Sequence, residues 1–116
     1  MLPKQYRLKK RSAFKATYKV KNSSHSGGVT LFAGILKKED YPTKVGFVVS
    51  KKVHKRAVKR NRLKRLIRES YRTLLKESNV GDSQKYMSLV FVGTEKALGK
   101  SYSQIRASVK NVLEKI

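Results

Sequence analysis

The residues with the clearest chemical potential run from Lys51 to Arg72. Ten of the eighteen positions from Lys51 to Arg68 are Lys or Arg, and none is acidic. The seven carboxylates of the whole chain cannot neutralise such a block, which therefore calls for a polyanion. It is not a disordered basic tail, because Leu63, Leu66, Ile67, Ser70 and Leu74 recur at helical spacing. At about 100° per residue, Asn61, Arg65, Arg68 and Arg72 fall on the opposite face, flanked by Arg62 and Lys64. An ordinary solvated helix face mixes both signs of charge. This one is a cationic ridge over an apolar stripe. Helix N-termini favour acidic residues and Ser, Thr, Asp or Asn caps, yet this one enters through His54, Lys55, Arg56, Ala57, Val58, Lys59 and Arg60. Each exposed cation there costs about 0.3–1 kcal/mol. A phosphate backbone would remove the conflict, since helix N–H groups and basic side chains would share one anion.

A second basic segment, Lys4 to Lys21, carries eight Lys or Arg and no acid. Ser12 reads as the N-cap of a short helix that sets Phe14, Thr17 and Tyr18 on one side. Two rings on a very basic helix are either core packing or a partly open platform for unpaired bases. A stacked base is worth about 1–3 kcal/mol. Both readings stand at this point. The groups that catalysis would require are missing. No cluster of His, Cys, Asp and Glu has metal-ligand spacing. His54 stands alone in the basic loop, and His25 lies in the polar stretch Asn22 to Gly28, read as a turn. Gly27-Gly28 is too short for a phosphate-cradling loop and leads into a strand. Glu69, four residues after Arg65 and three before Arg72, reads as an ion-pair partner. A nuclease acting alone needs carboxylates for Mg²⁺ or a His pair. The inventory is that of a binding protein without catalytic residues or a metal site of its own.

The elements that position these residues follow from periodicity. Val29 to Leu36 and Val45 to Ser50 read as strands, with a hairpin as the obvious pairing. Glu39-Asp40-Tyr41-Pro42 supplies the turn between them. A long helix runs from Ala57 to Lys76, and Tyr86 to Val92 forms another strand. Ser101-Tyr102-Ser103-Gln104 has capping-box spacing and opens a last helix with Ile105, Val109, Val112 and Ile116 on its buried stripe. The order helix, strands, helix, strand, helix predicts an α+β two-layer sandwich, one domain over residues 1–116.

Composition sets the outer limits. The net charge is +22 and the pI about 10.6, so nucleic acid or an anionic membrane is the natural partner. No run of eighteen apolar residues could span a membrane, and the N-terminus lacks the apolar core of a signal peptide. A cytoplasmic protein is expected, and the lack of cysteine excludes disulfides and thiolate metal sites.

The run Lys59-Arg60-Asn61-Arg62-Leu63-Lys64-Arg65-Leu66-Ile67-Arg68-Glu69 resembles the Arg-Asn-Arg signature of the bacterial ribonuclease P protein subunit. Val45-Gly46-Phe47-Val48-Val49-Ser50-Lys51-Lys52 is similar to that family's third strand and its Ser-Lys-Lys ending. Arg7-Leu8, followed by Phe14 and Tyr18, resembles its N-terminal segment. The resemblance covers nearly the whole chain. It implies a four-stranded mixed sheet with three helices in the order αβββαβα and a left-handed βαβ crossover around the Arg-Asn-Arg helix. The fourth strand would lie near Leu8 or within Asn22 to Val29.

By the same resemblance, a large RNA with Mg²⁺ is the catalyst, and the protein helps it remove the 5′ leader of precursor tRNA. The partners implied are ribonuclease P RNA and precursor tRNA, with no membrane and no small-molecule substrate, and the Mg²⁺ is held mainly by the RNA. Lys51, Lys52, Arg60, Asn61, Arg62, Lys64, Arg65 and Arg68 match the basic motif near the catalytic RNA. Phe14, Tyr18 and Phe32, with Val48 as a small apolar floor, match the cleft for the single-stranded leader. Tyr18 stands where Phe is more usual, and Gly93-Thr94-Glu95 where relatives often carry Arg, with Lys96 a weak substitute. The loop after Lys52 is one residue longer than the family pattern. Two other readings remain: a general RNA-binding or ribosomal protein without a defined reaction, and a stand-alone nuclease. The first accounts for the charge but not for the ordered motifs.

Overall fold

A small sheet with one apolar core on its inner face organises the computed structural model, which describes residues 4–116. The elements are α1 (Arg11–Lys19), β1 (Asn22–Ser26), β2 (Val29–Ala33), β3 (Lys44–Val48), α2 (Ala57–Lys76), β4 (Ser88–Gly93) and α3 (Tyr102–Lys115). The sheet order is β1-β2-β4-β3. The β1–β2 and β2–β4 pairs are antiparallel and β3–β4 is parallel, so the sheet is mixed. The α+β class and the αβββαβα order are those expected, and α2 has the predicted bounds.

The pairing differs from expectation in a definite way. β2 and β3 do not form a hairpin; β4 lies between them. Strand β2 instead folds back on β1 through Gly27-Gly28, with Ser26 opposite Val29. Both glycines have positive φ, +54° and +89°, as a two-residue hairpin turn of the primed type requires. Asn22 to Gly28 is therefore a strand plus a turn, and His25 is a strand residue whose Nδ1 lies 2.9 Å from Thr30 Oγ1. A strand of Asn-Ser-Ser-His-Ser has no apolar face to announce it. It is held by its ladder with β2 and by Ser24 Oγ, which donates to the Val112 carbonyl of α3 at 2.8 Å. The sequence near Leu8 adds only a bridge from Arg7 to the outer edge of β3, with Leu8 N–H donating to the Val45 carbonyl at 2.9 Å. Ser12 is not the cap of α1. Lys10 holds that position without a side-chain cap bond, and Ser12 lies inside the first turn.

Alternation along the strands assigns each face. Val29, Leu31 and Ala33 of β2, Leu89 and Phe91 of β4, and Val45 of β3 belong to the main core beneath α2 and α3. From α2 that core takes Leu63, Ile67, Tyr71 and Leu74, and from α3 Ile105, Val109, Val112 and Leu113. Leu66 and Ile116, expected on the stripes, are only half-buried, while Tyr71, Ser108 and Leu113 are buried in addition. Phe91 stacks on Phe47 (centroids 5.6 Å apart) and tilts against Tyr71 (5.4 Å). Such pairs add about 0.5–1.5 kcal/mol beyond area burial. Burial pushes the Tyr71 hydroxyl up to about 12, opposed by a hydrogen bond from Gln84 Nε2 at 2.9 Å. The capping box of α3 is formed: Ser101 Oγ accepts from the Gln104 N–H, and Gln104 Oε1 accepts from the Ser101 N–H at 3.0 Å.

Candidate nucleic-acid interface

The second face of the sheet is only partly covered. Its residues are Thr30 and Phe32 of β2, Ser88, Val90 and Val92 of β4, and Lys44, Gly46 and Val48 of β3, from the strand alternation. Helix α1 crosses it. Thr17, buried, lies 2.6 Å from Ser88 (Oγ1 to Oγ) and donates to the Ala13 carbonyl at 2.9 Å. Tyr18 meets Phe32 edge-to-face, with ring centroids 4.9 Å apart and planes at 85°. Phe14 lies over Gly46, where a Cβ would strike the ring. Glycine here permits the ring to rest on the strand itself.

Phe14, Tyr18, Phe32 and Val48 therefore share one face, and all four are half-buried. The rings pack on the sheet, yet each keeps part of its surface open. Burial raises the pKa of the Tyr18 hydroxyl, so it remains a neutral donor at physiological pH. The register runs His25, Thr30, Val92 and Val48 in one row across the sheet, and Ser23, Phe32, Val90 and Gly46 in the next. His25 and half-buried Val92 were not among the expected cleft residues. Val92 could have been found from its parity with Val48. His25 could not, because Asn22 to Val29 was only one of two places offered for the fourth strand and its polar residues set no register.

The cationic ridge is built by α2. Lys51 and Lys52 are exposed in the turn after β3; Asn61, Arg62 and Arg65 are exposed on the helix; Lys64 and Arg68 are half-buried. Arg60 has a structural task. Its Nη1 donates to the carbonyls of His54 and Lys55 at 2.8 and 2.9 Å, closing the loop that leads into the helix. Arg56 is the N-cap residue and supplies no side-chain cap bond, and no acid lies in the first turn. The conflict of cations with the helix dipole is therefore present in the fold. Arg72 Nε and Nη2 donate to Glu69 at 3.2 and 3.1 Å, which confirms Glu69 as an ion-pair partner. Among the described residues, no group of three or more His, Asp or Glu could hold a metal, and no helix is long and apolar enough to cross a membrane.

A basic α+β sandwich with aromatic rings on one sheet face and a cationic helix beside it has the architecture of the ribonuclease P proteins. Superposed on a Staphylococcus aureus RNase P protein, it gives a TM-score of 0.78 at 28% identity, covering 97% of this chain and 95% of that one. The RNase P protein from Thermotoga maritima shares the fold, with a TM-score of 0.77 at 24% identity. The family model described as Ribonuclease P matches residues 2–116. The ribonuclease P protein component of Clostridium kluyveri is 39% identical over 110 residues, 95% of this chain and 93% of that protein. That of a Synechococcus strain is 37% identical over 120 residues, 99% and 84% of the two chains. The chain belongs to the ribonuclease P protein family.

Proposed function

We propose that the chain is the protein subunit of a ribonuclease P ribonucleoprotein, binding the catalytic RNA and the single-stranded 5′ leader of precursor tRNA. One observation carries the reading: the aromatic face and the cationic ridge flank the same edge strand, β3, so a leader on one and the catalytic RNA on the other would lie side by side. The half-buried rings of Phe14, Tyr18 and Phe32 suit unpaired bases, which offer a π-face whatever their sequence. Lys51, Lys52, Arg60, Asn61, Arg62 and Arg65 suit a folded RNA backbone, while Lys64 and Arg68 stand between that ridge and the aromatic face. By the family resemblance, the Mg²⁺ and the hydrolytic step belong mainly to the RNA, and the protein contributes binding and alignment.

The test is cleavage of a 5′-labelled precursor tRNA at low Mg²⁺ by a cognate ribonuclease P RNA, by this protein, and by both. Cutting at the mature 5′ end only with both present is the expected result. Cutting by the protein alone would require catalytic groups that the inventory lacks. No enhancement of the cognate RNA would leave a general RNA-binding protein.

A further inference from the structure

At the outer edge of β3 a cavity of about 200 Å³ lies between the two surfaces just described. Its wall includes Phe14 and Gly46 from the aromatic side, Lys64 and Arg68 from α2, Phe47 of β3, and Arg7 of the N-terminal segment. Space of this size holds about six or seven waters, enough for one phosphate group and part of its shell. The cavity is a consequence of topology. β3 is the last strand of the sheet, and among the described residues its outer edge is met by Arg7 and Leu8. The open sheet face and the helix ridge therefore meet around the edge of this one strand.

Arg68 gives the cavity its chemistry. Its Nε is buried and has no hydrogen-bond partner. A buried donor without an acceptor is uncommon in folded proteins and points to a missing partner. Glu69, next in sequence, faces Arg72 instead. Lys64 precedes Arg68 by four residues, so both ammonium and guanidinium lie on one side of the helix. A guanidinium edge presents two parallel N–H donors, a match for two oxygens of one phosphate. The aromatic wall adds a second requirement: an anion followed at once by a base suits the site better than an isolated ion.

We infer that this cavity binds one phosphodiester group of a single-stranded RNA whose neighbouring base lies against Phe14, with Arg68 as its principal donor and Lys64 as its counter-charge. The inference rests on the reading that the open face takes unpaired RNA. The phosphate joins the stacked segment to the segment held by α2, and so fixes the register in which the strand passes from one surface to the other.

The test uses a short single-stranded RNA with the leader sequence of a precursor tRNA. One neutral methylphosphonate linkage is moved along it, and binding to the full chain is measured. One position should weaken binding by about tenfold or more, the size of a lost charged hydrogen bond. In Arg68→Gln that position should become as tolerant as its neighbours, and Arg68→Lys should restore little, because charge without the Nε donor is not enough. Persistence of the position-dependent loss in Arg68→Gln would overturn the assignment. Should that variant fold poorly, the ¹⁵N–¹H signal of Arg68 Nε in the unaltered protein gives the same answer. It should move with the native RNA and not with the RNA neutral at that linkage. Equal movement with inorganic phosphate alone, together with a flat methylphosphonate scan, would mean a free-ion site and would also overturn it. If Phe14→Leu and Tyr18→Leu bound leader RNA as well as the unaltered protein, the leader reading would fail. The linkage dependence at Arg68 would stand apart from that result.

Discussion

Phe14 is the position at which the proposed function would join packing to recognition. The ring can lie on β3 only because residue 46 has no side chain; a Cβ there would strike the ring. Gly46→Ala should therefore lift Phe14 off the sheet. Overpacking of this kind costs about 1–3 kcal/mol. Affinity for leader RNA should fall with it, because the platform moves even though every aromatic residue remains. Phe14→Ala supplies the complementary case, removing the ring and leaving the strand unstrained. Binding of leader-bearing precursor should drop more than binding of mature tRNA, by about 1–3 kcal/mol for one stacked base. Equal losses for both ligands, accompanied by a large fall in Tm, would make the ring a core residue only. Measuring both variants against both ligands separates the two roles. Arg60 is a second case. The family motif offers it as an RNA contact, and its Nη1 also donates to the loop carbonyls of His54 and Lys55. It therefore helps to present the start of α2 as well.

Among the elements, α2 and α3 owe their ends to different forces. α3 has a complete capping box at Ser101 and Gln104. Ser101→Ala should lower stability by about 1 kcal/mol, read as a shift in urea midpoint without change in slope, and should leave RNA affinity alone. A change in RNA affinity would place the α3 N-terminus in the interface. α2 has no such cap, and its first turn is cationic. This contrast was legible in the sequence, as were the bounds of α2, because twenty residues of 3.6-periodicity leave little freedom. The cationic ridge was legible for the same reason. What the sequence concealed was pairing. β1 is polar on both faces, and its strand identity comes from Gly27-Gly28 and from hydrogen bonds to β2 and α3. The expected β2–β3 hairpin followed from adjacency along the chain. Strand β4, arriving after α2, takes the place between them, and there its Val90 and Phe91 are buried on opposite faces of the sheet. Such long-range competition leaves no local trace. The cavity beside Arg68 was hidden for that reason, since it needs the N-terminal segment, α1, β3 and α2 together.

For the molecule as a whole, one quantity governs both stability and binding: a net charge of +22 on a body with a radius of gyration of 13.1 Å. Like charges at this density repel one another in the folded state and are held farther apart in the unfolded chain. Opposing ion pairs such as Arg106–Glu77 and Lys85–Asp82 have exposed or half-exposed partners, and pairs of that kind are worth about 0–1 kcal/mol each. Repulsion should therefore prevail, and added salt should relieve it. The Debye length falls from about 30 Å at 0.01 M to about 10 Å at 0.1 M, from larger than the protein's radius of gyration to smaller. Tm should rise across that interval in NaCl. Affinity for single-stranded RNA should fall over the same range, with a log–log slope of about −0.7 per phosphate contact. Removing one contact, as in Arg65→Ala, should make that slope shallower by about 0.7 and raise Tm slightly, because one repelling charge is gone. A Tm that falls with salt would mean that the ion pairs outweigh the repulsion. The absence of acid from the ridge would then have to be explained by the fold rather than by a polyanionic partner.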